Sequence, residues 1–111
     1  MLIKPPDVAE AFADVRSKAA VFSAKATELA SLVDSIVNGA PDEGYDQALT
    51  TYQKSEVTAN DAILRLPNKY VSEDDIEWLR TIQSGPPAVA TAALKAYEAW
   101  KQTSSRSSKN K

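Results

Sequence analysis

The side chains best able to bind a metal ion or transfer a proton are four carboxylates that lie close together, Glu73, Asp74, Asp75 and Glu77. Clustered carboxylates can hold a divalent cation or perform acid–base catalysis. Adjacent helix positions, however, point in different directions, and acidic side chains in a first helical turn complement the helix dipole. We therefore interpret the cluster as the start of a helix capped by Ser72, with Asp75 at the third helical position, and predict no metal site.

Other residue types on which enzymes depend are missing. The chain of 111 residues contains no cysteine and no histidine, which excludes thiolate nucleophiles, disulfides and the side chain that titrates most readily near neutral pH. Its three glycines, Gly39, Gly44 and Gly85, are too widely separated to form a phosphate-binding loop. We predict a protein that is not an enzyme and that binds no cofactor.

Basic side chains concentrate at the C-terminus. Residues 1–100 carry nine Lys or Arg and fifteen Asp or Glu, a net charge of −6, whereas residues 101–111 carry no acid and four basic side chains: Lys101, Arg106, Lys109 and Lys111. These four could contact nucleic acid, with Tyr97 and Trp100 as stacking groups. Because the acidic body would repel a polyanion, nucleic-acid binding beyond a weak contact of the tail is not expected.

The elements that must position these groups are helices. In the first third of the chain, apolar or small residues recur at alternating spacings of four and three, which keeps them on one helix face; they are Val8, Phe12, Val15, Ala19, Phe22, Ala26, Leu29, Val33 and Ile36. Asp7 and Glu10 have the spacing of an acidic capping box, and Asn38 and Gly39 suit a helix end. We predict a helix over about 8–37, roughly 45 Å long.

A second segment repeats this spacing and should fold back on the first as an antiparallel helix over about 44–66. Its repeating positions are Tyr45, Leu49, Tyr52, Glu56, Ala59, Ile63 and Leu66. A turn centred near residue 41 would place Tyr52 near Leu29 and Ala59 near Phe22. Glu56 interrupts the seam, and it either pairs with Lys25 or turns outward to the solvent.

The last third predicts two shorter helices, because Pro86 and Pro87 should interrupt a helix. They cover about 73–83 and about 87–103, each with one apolar face. Residues 104–111 have no apolar side chain to offset ordering entropy, so we expect a flexible, basic, serine-rich tail. The predicted fold is all-α, a long antiparallel helical hairpin with two shorter helices on its open end. This elongated four-helix bundle forms a single domain over residues 1–103.

Two features are candidates for partner binding. A stripe of small residues follows the opposite face of the first helix: Ala13, Ser17, Ala20, Ala24, Thr27 and Ser31. Small residues let another backbone approach closely, so this face either docks a helix from this chain or a partner, or is exposed to solvent. Trp78 and Trp100 are either interface anchors or fillers of a core that is short of aromatic residues.

An over-long helix with two packable faces and no catalytic chemistry favours a non-enzymatic interaction or structural protein. We expect a small subunit or accessory factor of a larger assembly, such as a viral or bacteriophage particle, with a protein partner or self-association. The alternative is a small acidic regulator or inhibitor that occupies a basic site on a partner protein. Since the chain shows neither an apolar run of spanning length nor a signal-peptide pattern at Met1, we expect it in the cytoplasm or within the assembly, without membrane contact.

Overall fold

The computed structural model describes the backbone of residues 5–109 and the side chains of residues 5–103. All regular structure in that part is helical, in the order α1 (Pro6–Val37), α2 (Tyr45–Leu64), a short 3₁₀ helix (Asn68–Tyr70) and α3 (Glu73–Lys109). The molecule is a rod with extents of 68 × 21 × 17 Å. The all-α prediction is confirmed. The prediction of four α-helices is wrong, because α3 is one helix where two were expected.

The start of α1 depends on proline rather than on a capping side chain. Pro6 occupies the first turn, where the preset φ of proline suits a helix and its missing N–H is not needed. The Ala9 N–H donates to the Pro5 carbonyl at 2.9 Å, and no side chain caps this end. The predicted capping box of Asp7 and Glu10 is therefore wrong, since Asp7 already lies inside the first turn.

The end of α1 confirms the prediction made from Asn38 and Gly39. Gly39 has a φ of +114°, a backbone conformation that side chains disfavour. The Gly39 N–H donates to the Ile36 carbonyl at 3.0 Å, and the Ala40 N–H donates to the Ser35 carbonyl at 2.9 Å. This pair of bonds is a Schellman motif, which satisfies the last carbonyls of the helix.

The helix α2 packs against α1 in a register that differs from the predicted one. The rings of Phe22 and Tyr52 stack with centroids 5.5 Å apart, whereas Phe22 was expected near Ala59. The loop over residues 38–44 runs back along α1 rather than turning tightly, and a Cβ at Gly44 would lie 3.9 Å from Leu32 Cδ2. This return displaces α2 toward the start of α1 by more than one helical turn.

The helix α2 is also rotated relative to the prediction. Ser55 and Ala62 are buried in place of Glu56 and Ile63, which are only half-buried. The Ser55 hydroxyl donates to the Tyr52 carbonyl at 2.6 Å, so the buried polar atom is satisfied. Glu56 stays at the edge of the seam, and the Lys25 ammonium instead lies 3.1 Å from the carboxylate of Glu28 on its own helix.

The helix α3 passes through Pro86 and Pro87 without a break. A proline inside a helix costs about 3 kcal/mol, through a lost hydrogen bond and a clash with the preceding turn. Burial of residues before and after the prolines offsets this cost. The buried residues of α3 recur at one continuous helical spacing, so they all lie on the same face of the helix: Leu79, Ile82, Pro86, Ala90, Ala93 and Tyr97. Burying one Leu or Ile side chain contributes about 1.5–3 kcal/mol. A break at the prolines that turned either half of α3 away from α1 would therefore lose more burial free energy than the proline cost it removed.

The C-terminal part of α3 extends beyond the predicted helix end near Thr103, since the helix is assigned to Lys109. Lys101 is exposed. The side chains of Arg106 and Lys109, and the whole of Lys111, lie outside the described residues. The flexible tail over residues 104–111 therefore remains a prediction.

Replacing Pro87 with Ala should stabilise the protein. The substitution restores a helical N–H and removes the steric clash, whereas greater freedom of the unfolded chain takes back up to about 1 kcal/mol. We expect the free energy of unfolding to rise by about 1–3 kcal/mol in urea denaturation followed by circular dichroism. Pro67→Ala, in the loop before the 3₁₀ helix, is the control and should not stabilise. A destabilised Pro87→Ala variant would contradict a continuous α3.

Candidate interaction surface

Asp75, one of the four clustered carboxylates, takes part in capping the start of α3. The Ser72 N–H donates to Asp75 Oδ2 at 3.0 Å, and the Asp75 N–H donates to Ser72 Oγ at 3.1 Å. These reciprocal bonds form the predicted capping box. Within the part of the chain that the structure describes, no group of three or more acidic side chains is arranged to hold a metal ion.

An aromatic cluster joins α2 to α3 at the other end of the rod. The rings of Tyr45 and Tyr97 stack with centroids 3.5 Å apart, and Trp100 lies 5.5 Å from Tyr97. The Tyr97 hydroxyl donates to Asp42 Oδ2 at 3.1 Å. Burial, this hydrogen bond and the nearby charge of Asp42 raise the pKa of Tyr97 above its usual range. The Tyr97 ring is thus occupied within the core and is not free to stack on a base.

The two tryptophans, predicted as either interface anchors or core fillers, both contribute to the core, and a role as anchors stays a prediction. Trp78 and Trp100 each pack against the core while remaining partly exposed. The Arg16 guanidinium lies over the Trp78 ring, 5.9 Å from its centroid, which is within cation–π range. Trp78 therefore lies beside α1, near the end of its third turn, whereas Trp100 is at the opposite end of the molecule.

The small-residue stripe of α1 is exposed along its whole length. Both α2 and α3 pack against α1, and the face of α1 that is buried is the stripe of large residues. The solvent-exposed residues are Ala13, Ser17, Ala20, Ala24, Thr27 and Ser31. Of the two alternatives, docking of another helix of this chain on this stripe is wrong, because one apolar face of α1 accommodates both of its neighbours.

The exposed side of α1 continues onto α3 as a surface without charge, which we name the uncharged face. Its members on α1 lie between Arg16 and Asp34: Ser17, Ala20, Ser23, Ala24, Thr27 and Ser31. Its members on α3 recur at helical spacing beyond Trp78: Thr81, Gly85, Val89, Ala92 and Ala96. Every one of them is exposed, although a quarter of the whole chain is charged.

A groove between α1 and α3 lies at the Asp34 end of the uncharged face. It is an open groove with a volume of about 430 Å³, lined by Ala30, Val33, Asp34, Val37, Val89, Ala92, Ala93 and Ala96. Val37 is 46% exposed and Val89 is 41% exposed. An apolar lining that includes a single carboxylate, Asp34, suits an apolar side chain that carries or accompanies a positive charge.

The remaining surfaces are less suited to a protein interface. The groove between α1 and α2 is lined by Lys18, Lys25 and Lys54, and Lys18 and Lys25 already face the carboxylates of Asp14 and Glu28 at 3.9 and 3.1 Å. Near the 3₁₀ helix, Leu64 is 81% exposed and Ile76 is 41% exposed. That patch is short, and it involves the ends of two helices rather than a continuous face.

The sequence indicated half of the uncharged face. The stripe on α1 is visible from its spacing, but the stripe on α3 spans the prolines and was divided between two predicted helices. Positions 78, 81, 85, 89, 92 and 96 have regular helical spacing when residues 86 and 87 are counted as part of one helix. This spacing is the sequence signal for the α3 stripe.

Comparison of the chain with known protein families, with curated proteins and with solved structures found no match. None of the helices in the described part is both long enough and apolar enough to cross a lipid bilayer. The function must therefore be argued from the surface itself.

Raising the pH should destabilise the core through Tyr52. Burial, with a smaller contribution from the charge of Glu56, raises the pKa of Tyr52 from its ordinary value near 10 to about 12. The folded state thus holds the proton more tightly than the unfolded state, so its stabilisation is complete below about pH 10 and is lost as the pH rises toward 12.

We expect Tyr52→Phe, which keeps the ring stacked on Phe22, to lose less stability than the wild type between about pH 8 and pH 11. Tyr45 and Tyr97 also have raised pKa values, so part of the pH dependence will remain in the variant. Urea denaturation at both pH values measures the difference. An equal loss of unfolding free energy in the wild type and the variant would contradict the contribution assigned to Tyr52.

Proposed function

We propose that this protein is a non-enzymatic interaction protein, a small helical subunit or accessory factor that docks into a larger assembly through its uncharged face. The observation that carries the proposal is the extent of that face, which runs between Arg16 and Asp34 over α3 and the adjoining side of α1 without a charged side chain. The charged residues of α1 within this span, Lys18, Lys25 and Glu28, lie toward α2. Exposed helix surfaces normally carry charged residues. Interface cores, in contrast, are depleted of charge.

The composition of the face supports docking of helices. Ala, Ser, Thr and Gly present little side-chain volume, so a partner backbone can approach closely along the rod. Hydroxyl groups on such a surface tolerate water, which suits a protein that must remain folded before it meets its partner. A virion is one assembly of this kind, and that setting stays a prediction from size and composition.

A second candidate, an acidic regulator or inhibitor, is favoured by the charge at the aromatic end of the rod. Asp42, Asp46 and Glu98 surround the stacked rings of Tyr45 and Tyr97 closely enough to influence their pKa values. A basic site on a partner could bind this end. Ionic strength separates the two proposals, because an electrostatic complex weakens steeply with added salt, whereas docking of the uncharged face weakens much less.

Site-specific photocrosslinking in the native cell tests the main proposal. A photoreactive residue at Ala24 should give discrete crosslinked species, and the same residue at Gln53, exposed on α2, should give few. Adding Ala20→Glu should abolish the products from position 24, since burial of an unpaired carboxylate at an interface is costly. The matched control is Val57→Glu, which places the same charge on an exposed α2 position one turn from Gln53.

The outcome is read together with circular dichroism of each variant, so that loss of crosslinking is not confused with unfolding. Crosslinks at position 24 that survive Ala20→Glu, or equal and sparse crosslinks at positions 24 and 53, would contradict docking through the uncharged face. A third photoreactive residue at Glu43, exposed beside Asp42, serves the second candidate. Discrete products from position 43 in place of position 24, which disappear when crosslinking is repeated in a cell lysate at high salt, would support that candidate.

A further inference from the structure

Two opposite charges flank the uncharged face. Arg16 and Asp34 are both exposed on α1 and are eighteen positions apart. Eighteen residues make five turns of a helix, so the two side chains project along the same line, roughly 27 Å apart. Among the described residues, neither side chain forms an ion pair. The two charges thus form a pattern with a positive end, a neutral centre and a negative end.

This pattern is complementary to itself when reversed. If a second α1 lies antiparallel on the first, with residue 25 opposite residue 25, Arg16 of each copy meets Asp34 of the other. Both ion pairs form together, because a two-fold axis across the helices keeps each residue on the same side of the interface. A parallel arrangement would instead place like charges opposite each other, which is unfavourable.

We propose that the uncharged face binds a second copy of this chain, forming an antiparallel two-fold dimer closed at each end by an Arg16–Asp34 pair between subunits. The proposal rests on the function proposed above, and it names the partner. The charge complementarity of the two ends selects this occupant over an unrelated helix, which would have to match the same spacing of 27 Å by chance.

The shape of the surface agrees with this arrangement. Arg16 lies over Trp78 on α3, and the groove between α1 and α3 is lined by Asp34 together with the exposed Ala92 and Ala96. Reversal brings the Arg16 and Trp78 pair of one copy onto the groove of the other. The exposed edge of the Trp78 ring then covers alanines, and the guanidinium reaches the carboxylate, which is the chemistry that this groove suits.

The area is sufficient for a specific dimer. From Arg16 to Asp34 the face is about 27 Å long, and two helices make it about 20 Å wide. It therefore offers about 540 Å² on each copy, so a dimer would bury about 1,100 Å² in total, just above the roughly 1,000 Å² that a specific interface needs. Gly85 lies near the middle of the α3 side and has no heavy atom within 4 Å of the position a Cβ would take, so the α3 backbones can approach closely there.

Sedimentation equilibrium of the full chain over a wide micromolar concentration range tests the proposal. The wild type should show a monomer–dimer equilibrium. Arg16→Asp and Asp34→Arg should each raise the dimer dissociation constant by about tenfold or more, because each converts two attractive pairs into two repulsive ones. The double variant, Arg16→Asp with Asp34→Arg, should return to within a few-fold of the wild type, since the reversed pairs again match.

Matched controls carry the same charge changes elsewhere. Lys54→Asp and Asp61→Arg, both on exposed positions of α2, should leave the dissociation constant unchanged. Circular dichroism and thermal melting confirm that each variant is folded. If one single variant does not fold, only its own measurement is lost. The wild type and the other single variant still test whether the dimer forms and whether it depends on the Arg16–Asp34 pair.

A wild-type chain that is monomeric throughout overturns the proposal. A dimer that neither single variant weakens overturns it as well, as does a double variant that stays as weak as the single ones. If the pure chain is monomeric while a photoreactive residue at Ala24 still captures a protein of different mass in the cell, the proposed function stands and the second copy is excluded as the occupant.

Discussion

Both α2 and α3 pack on one apolar stripe of α1, and this shared stripe constrains the rest of the structure. Leu29 and Ile36 have no exposed surface, and Phe22 has almost none. Because α1 contributes a single face to two neighbours, the core is a narrow column instead of a broad interior. Small residues make the close approach possible, among them Ala26 on α1, Ala59 on α2 and Ala93 on α3. The rod shape follows, since a narrow column can bury more surface only by becoming longer.

This constraint decides the conflict at Pro86 and Pro87. Local propensity favours two helices, and packing on α1 favours one helix in a single phase. Packing prevails because both halves of α3 bury apolar residues against the same stripe, with Pro86 itself among the buried positions. The same constraint leaves the opposite side of α1 without a neighbour among residues 5–103, whose side chains the structure describes. The uncharged face is therefore a consequence of how the fold is built, and its lack of charge is the property that requires a functional explanation.

Features that depend on neighbouring residues in the sequence, such as a buried helix face and two helix ends, were predicted correctly. Eight of the nine stripe positions on α1 are buried, with Ala19 half-buried, and both the end of α1 at Gly39 and the capping box at Ser72 follow from short-range rules. Features set by the path of a loop were not accessible in the same way. The return of residues 38–44 along α1 shifted the register, and a small rotation exchanged Glu56 for Ser55 in the core. The candidate surface was predicted only on α1, because its α3 half depends on the continuity of a helix that local rules divide.

The central claim is that α1 is held along its length by both neighbours, and native-state hydrogen exchange of the α1 amides measures this directly. If the account is correct, amides from Val15 to Val33 will exchange only by global unfolding, with the same free energy as urea denaturation reports and with no weak point between them. Exchange of the central α1 amides through local openings of much lower free energy, while α2 or α3 stayed protected, would contradict it.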